Sequence, residues 1–274
     1  MGIHQQLANN VPRTVSHFGT VPPMNALVAV MAVALFQVIS AIAFGGFAVS
    51  VDIQGWSLGQ EQRLMSPAYG IGALVVLVAF ARNVPRPAAT LFGINVRIMV
   101  LSTLGIALFL AILSGLSLLA IPVSGTQRGL SSVLRPVAGG APGEVIVLMI
   151  ALPALTEELV LRLVVQPGLT ARYSAPAAVI ITAALYALGY GSLGRIVVGF
   201  IMAVIAGVLL HSARSIWPAL AVHLAANGLA VLALSPEVES VFRDYALAIL
   251  VLTSGIAGIC IAGLRRYARS VRST

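Results

Sequence analysis

From Met24 to Val49 the chain carries no charged side chain, and the same holds from Ile98 to Ile121. An apolar stretch of about 20 residues is long enough, as a helix, to cross the roughly 30 Å hydrocarbon core of a bilayer. A segment of that kind cannot form the surface of a soluble domain. Further apolar runs lie at 66–82, 144–166, 175–190, 194–212, 215–234 and 246–264. Only 9% of the 274 residues are charged, against about 25% in a soluble protein. The expected fold is all-α, a polytopic membrane helix bundle of about eight transmembrane helices. The first run is longer than the apolar core of a signal peptide, so it reads as a retained span.

The segments divide the chain into a polar N-terminal tail (1–23), one transmembrane helical domain (24–264) and a basic tail (265–274). The glycine-rich stretch 122–143 reads as the longest linker. Placing both termini in the cytoplasm puts Arg13, Arg82, Arg86, Arg97, Arg172, Arg214, Arg265, Arg266, Arg269 and Arg272 inside. Arg63, Arg128, Arg135, Arg195 and Arg243 then fall outside. The ten-to-five asymmetry is the orientation favoured by the positive-inside rule. The formal charge of +8 is accounted for by loops facing anionic lipid, so the bilayer and not a nucleic acid is the expected partner. One cysteine, Cys260, leaves no internal disulfide and no multi-cysteine zinc site.

The fourth apolar run breaks the pattern, because it contains Glu157, Glu158 and Arg162. Each ionised group at bilayer depth costs at least ~3 kcal/mol on insertion scales. Glu158 and Arg162 are four residues apart with the acid first, the favourable order for an ion pair on one helix face. Leu161 occupies the equivalent position for Glu157, which therefore points at something else. Pro153 removes a backbone donor four residues before Glu157 and predicts a kink. In the seventh run His223 and Asn227 are also four apart and share a face. With alternating spans, Glu157 and His223 lie at similar depth, roughly 13 Å from the inner surface. They are expected to share a polar cavity. His211, at the inner end of the sixth run, reads as interfacial. Purely structural roles remain open for Glu158 with Arg162 as an ion pair, and for His223 with Asn227 as interhelical hydrogen-bonding groups.

The sequence TEELVLR resembles the E-E-x-x-x-R motif of the CPBP family, which comprises CAAX prenyl endopeptidases and bacteriocin-processing relatives. HLAAN, His223 to Asn227, resembles the family's H-x-x-x-N motif. The likeness covers about residues 140–232. The family's middle motif, F-x-x-x-H, corresponds here to Tyr186 and Tyr190. The resemblance implies an intramembrane endopeptidase that hydrolyses a peptide bond in a membrane-associated or lipidated substrate, in a bacterial plasma membrane. It implies Glu157 as the base, His223 and Asn227 as the oxyanion hole, and Tyr190 at the helper position where the family has histidine. Glu158 and Arg162 would support the helix. A phenol is a poor base, so a catalytically impaired binding or scaffold protein is the alternative. A transporter or channel would instead spread charges over several spans. No cofactor is expected. Zinc is disfavoured because it usually takes at least three protein ligands, and Glu157 and His223 would be the donors to hand.

Overall fold

In the computed structural model, residues 23–51, 58–80, 93–119, 146–190, 193–232 and 236–272 are described. The N-terminal tail up to residue 22 and the 122–143 linker lie outside them. All regular structure among the described residues is helical, the arrangement that satisfies every backbone polar group without water. Helices α1 (Ala26–Val51), α2 (Leu58–Ala79) and α3 (Val96–Leu118) precede a broken helix. That helix runs through a π-helical turn (Ile146–Ala151), α4 (Leu152–Val160), a second π-helical turn (Leu161–Val165) and α5 (Gln166–Thr170). Then come α6 (Ala175–Ala187), α7 (Leu193–Ala213), α8 (Trp217–Leu232), α9 (Pro236–Asp244) and α10 (Ala246–Arg272).

Each of the eight apolar runs therefore forms a helix. The chain is a polytopic helical membrane protein. Four helices are long and apolar enough to cross by length and composition: Ala26–Ala43 within α1, α3, α7, and Ala246–Arg269 within α10. The apolar part of α2 (Pro67–Ala79), α6 and α8 are shorter. At 1.5 Å per residue, α6 and α8 span only about 20 and 24 Å.

Three boundaries differ from expectation. α2 begins at Leu58, because the polar stretch LGQEQRLM is rich in good helix formers that a hydropathy reading takes for loop. α10 continues as helix beyond its apolar run, through Arg265, Arg266 and Arg269 to Arg272. α9 lies between the apolar runs 215–234 and 246–264; it is short and opens on Pro236, a residue suited to a first helical turn.

The breaks in the fourth helix have an identifiable cause. Each π-helical turn is followed within two residues by a proline, Pro153 or Pro167, at the start of the next α-helical piece. Proline offers no N–H, and its ring crowds the carbonyl one turn back, so the ladder widens just before it. In the second turn Gln166 N–H donates to the Leu161 carbonyl, five residues back.

α3 runs through the middle of the bundle, against α7, α8 and α10. At Gly105 a Cβ would lie 2.3 Å from Leu209 Cδ1 on α7 and 2.6 Å from Val222 Cγ2 on α8. Only a missing side chain allows this approach. Hydroxyls inside the helices, Ser114 and Thr182 for example, donate to the carbonyl four residues back, at 2.8 Å in both cases.

Helix ends gather on a common side. Met24 N–H donates to the Gly168 carbonyl at 2.7 Å. Arg97 donates to the Ser212 carbonyl at 2.9 Å, joining the start of α3 to the end of α7. Gln166, two residues before Gly168, donates to the Gly207 carbonyl of α7 at 2.9 Å. The starts of α1 and α3 thus lie beside the ends of α5 and α7.

Candidate active site

Around the second π-helical turn three polar side chains follow at four-residue spacing, Glu158 on α4, Arg162 in the turn and Gln166 at the start of α5. All three are buried, with exposures of 0%, 0% and 1%. The ion pair anticipated from the spacing is present: Arg162 Nε donates to Glu158 Oε2 at 2.9 Å. The guanidinium has two further acceptors, Gln166 Oε1 at 3.0 Å and the Ala203 carbonyl at 3.1 Å. A buried charge is tolerable only when paired and hydrogen-bonded in this way. Gln166 escaped the sequence reading. Its place four residues beyond Arg162 continues the Glu158–Arg162 spacing and was the signal available.

Glu158 does more than neutralise Arg162. Its other oxygen, Oε1, is 3.0 Å from His223 Nδ1 on α8. A carboxylate that accepts from a guanidinium is an acceptor at both oxygens, so Nδ1 carries the proton and donates to it. The opposite ring nitrogen, Nε2, meets two groups: the Tyr186 hydroxyl at 3.1 Å and Glu157 Oε2 at 3.4 Å. His223 is 1% exposed, whereas the Glu157 side chain is 19% exposed. Within this buried cluster Glu157 has an open side.

Tyr190 follows the end of α6 at Ala187, not within the helix as its expected span to 190 implied. Leu188 caps the helix and Tyr190 N–H donates to the Ala187 carbonyl at 3.0 Å. This turn brings the ring back over the preceding helical turn. The Tyr190 and Tyr186 hydroxyls are hydrogen-bonded to each other, with their rings edge to face at 5.3 Å. Gly199 on α7 makes room: a Cβ there would stand 2.6 Å from Tyr190 Cε2. An unbroken helix to residue 190 would carry Tyr190 about 21 Å from the inner surface, deeper than Glu157 and His223. The turn explains how its hydroxyl joins the same cluster through Tyr186. The sequence treated Tyr186 only as the aromatic of a motif, yet its hydroxyl touches His223.

Asn227 is placed apart from these bonds. Its Nδ2 donates to the Ile150 carbonyl at 3.3 Å, in the first π-helical turn, where the widened ladder offers an acceptor. One of its two N–H donors remains for another group. Among the described residues no group of three or more His, Cys, Asp or Glu side chains has an arrangement suited to a metal ion. Glu158 is committed to Arg162 and His223, which leaves Glu157 and His223 Nε2 as donors. That set does not fit zinc.

A family model described as "Rce1-like: Type II CAAX prenyl endopeptidase Rce1-like" matches residues 142–229. No curated protein and no solved structure matches the chain. The matched segment contains the broken helix, α6 and α7 and most of α8, with every polar group described above. Over residues 142–229 the chain is thus similar to the Rce1-like type II CAAX prenyl endopeptidases.

Proposed function

We propose that the protein is an intramembrane endopeptidase that hydrolyses a peptide bond in a membrane-associated or lipidated protein, using water activated by Glu157. The observation that carries this reading is the placement of a partly exposed carboxylate 3.4 Å from Nε2 of a fully buried, doubly anchored imidazole. Glu157 takes a proton from water as the hydroxide oxygen adds to the scissile carbonyl carbon. The same carboxyl then returns the proton to the departing amine as the C–N bond breaks. The oxyanion formed in between needs donors aimed at it. An N–H of Asn227 is one, and an Nε2–H on His223, formed when Glu157 lends it the proton taken from water, is another. The donor set supports chemistry without a metal ion.

The test is incubation of the reconstituted protein with a library of membrane-associated peptides, prenylated and not, followed by mass spectrometry. New termini that appear with wild type and vanish in Glu157→Gln support the proposal. Cleavage unchanged by that substitution refutes it.

A second reading, a binding protein of the same fold, draws on Tyr190. Its hydroxyl is engaged with Tyr186 and a phenol does not replace an imidazole as base. Under this reading no peptide is cut, and a membrane partner co-purifies with wild type but not with His223→Ala.

A further inference from the structure

Two hydroxyls in this cluster have no part in the steps above. We infer that Tyr186, supported by Tyr190, is a positioning residue that fixes where the proton sits on His223. This rests on the endopeptidase reading for its consequence in catalysis, but not for its geometry.

The bond directions follow from donor and acceptor chemistry. Glu158 accepts from Arg162 at 2.9 Å and from His223 Nδ1 at 3.0 Å. The neutral imidazole then has its lone pair on Nε2. The group facing that lone pair at 3.1 Å is the Tyr186 hydroxyl, which donates its proton there. Its oxygen is left to accept, and the Tyr190 hydroxyl is bonded to it. The chain therefore runs in one direction, from Tyr190 to Tyr186 to His223 to Glu158, with Arg162 at the far end. Hydrogen bonds in such a series strengthen one another in a buried setting.

The consequence concerns Glu157. The titratable groups that face the His223 ring are Glu157, Glu158 and Tyr186. A proton held on Nδ1, with Nε2 occupied by a phenol, stops the imidazole from donating to Glu157 in the resting enzyme. The carboxylate then holds no proton from the ring and can take one from water. Tyr186 thus keeps two neighbouring groups from neutralising each other. When the oxyanion forms, the proton that Glu157 has taken from water passes to Nε2, 3.4 Å away, turns the ring into a donor on both sides, and returns through Glu157 to the departing amine.

The test is nitrogen-15 NMR of histidine-labelled protein in detergent micelles, with His223 assigned by the signal lost in His223→Gln. Wild type is expected to show a neutral ring protonated at Nδ1, with Nε2 accepting a hydrogen bond. Tyr186→Phe should move the Nε2 resonance away from its hydrogen-bonded position. Tyr190→Phe should move it less, in the same direction. Gly199→Ala, which drives the Tyr190 ring away from a distance, should resemble Tyr190→Phe. On a peptide that wild type cleaves, Tyr186→Phe should lower kcat roughly tenfold with KM little changed, the rate equivalent of one lost hydrogen bond. A wild-type ring protonated at Nε2, or a Tyr186→Phe spectrum that superimposes on wild type, overturns the inference. Absence of any cleavage by wild type counts against the endopeptidase reading alone, since the spectra still decide the proton's position.

Discussion

Two adjacent glutamates on one helix have different surroundings, and their replacements should separate accordingly. Glu158→Gln leaves Arg162 as a buried cation without its counter-charge and unties His223 Nδ1. Breaking a buried pair from one side costs about 3–5 kcal/mol. Folded yield and thermal midpoint in detergent should both fall. Glu157→Gln keeps the shape of a largely buried side chain that pairs with no cation of its own helix. It should fold as wild type does and lose at least about 100-fold in turnover, the contribution of a general base. Equal losses of folded protein in the two variants would contradict this division. Tyr190 offers a second comparison. Tyr190→His supplies an imidazole next to Tyr186 and should create or raise hydrolysis if catalysis is impaired for want of that group. Tyr190→Phe should instead lower hydrolysis if the phenol already serves. Assays of both variants on a confirmed substrate distinguish the cases, and no effect from either would place Tyr190 outside the reaction.

Elements meet at glycines, and one close approach joins α3 to both α7 and α8 at Gly105. Gly105→Ala puts a methyl group 2.3 Å from Leu209 Cδ1 and 2.6 Å from Val222 Cγ2. Overpacking of this kind costs about 1–3 kcal/mol. Adding Leu209→Ala should recover part of the loss, a coupling that thermal midpoints of the single and double variants would measure. A destabilisation that is simply additive would show that the two side chains do not compete for this space. Such contacts were not legible in the sequence, because an apolar helix gives no sign of which face meets which neighbour. What hydropathy did locate was the position of each apolar run, since period and length alone settle that. It missed α9 and the polar start of α2, where short or amphipathic helices look like loop. In the site, the four-residue spacing made Glu158 and Arg162 legible as a pair, and His223 and Asn227 as one face. The structure uses those two differently: His223 joins the acids, while Asn227 bonds a carbonyl in the first π-helical turn. The turn after α6 that folds Tyr190 onto Tyr186 depends on Gly199 in another helix. No local reading of the sequence contains that information.

At the scale of the whole molecule, the gathered helix ends make a statement about topology. Met24 lies against Gly168, Arg97 against Ser212, and Gln166 against Gly207. The starts of α1 and α3 and the ends of α5 and α7 share one side, as alternating passage of consecutive runs requires. α6 and α8 are shorter than a bilayer is thick; both contain buried residues, including Tyr186 and His223, so neighbouring helices and not lipid set much of their surroundings. At the far end of the chain, α10 carries Arg265, Arg266, Arg269 and Arg272 on a helical extension, the strongest orientation signal in the sequence. With that extension in the cytoplasm, the site lies nearer the cytoplasmic side: His223 is six residues beyond the start of α8, about 9 Å along the axis. A substrate would then approach from the cytoplasmic leaflet. Reporter fusions after Leu58, Leu130 and Thr274 should read outside, outside and inside. An external signal from the Thr274 fusion would invert the molecule and move the substrate to the opposite leaflet. Opposite signals from Leu58 and Leu130 would mean that α2 and α3 do not both cross.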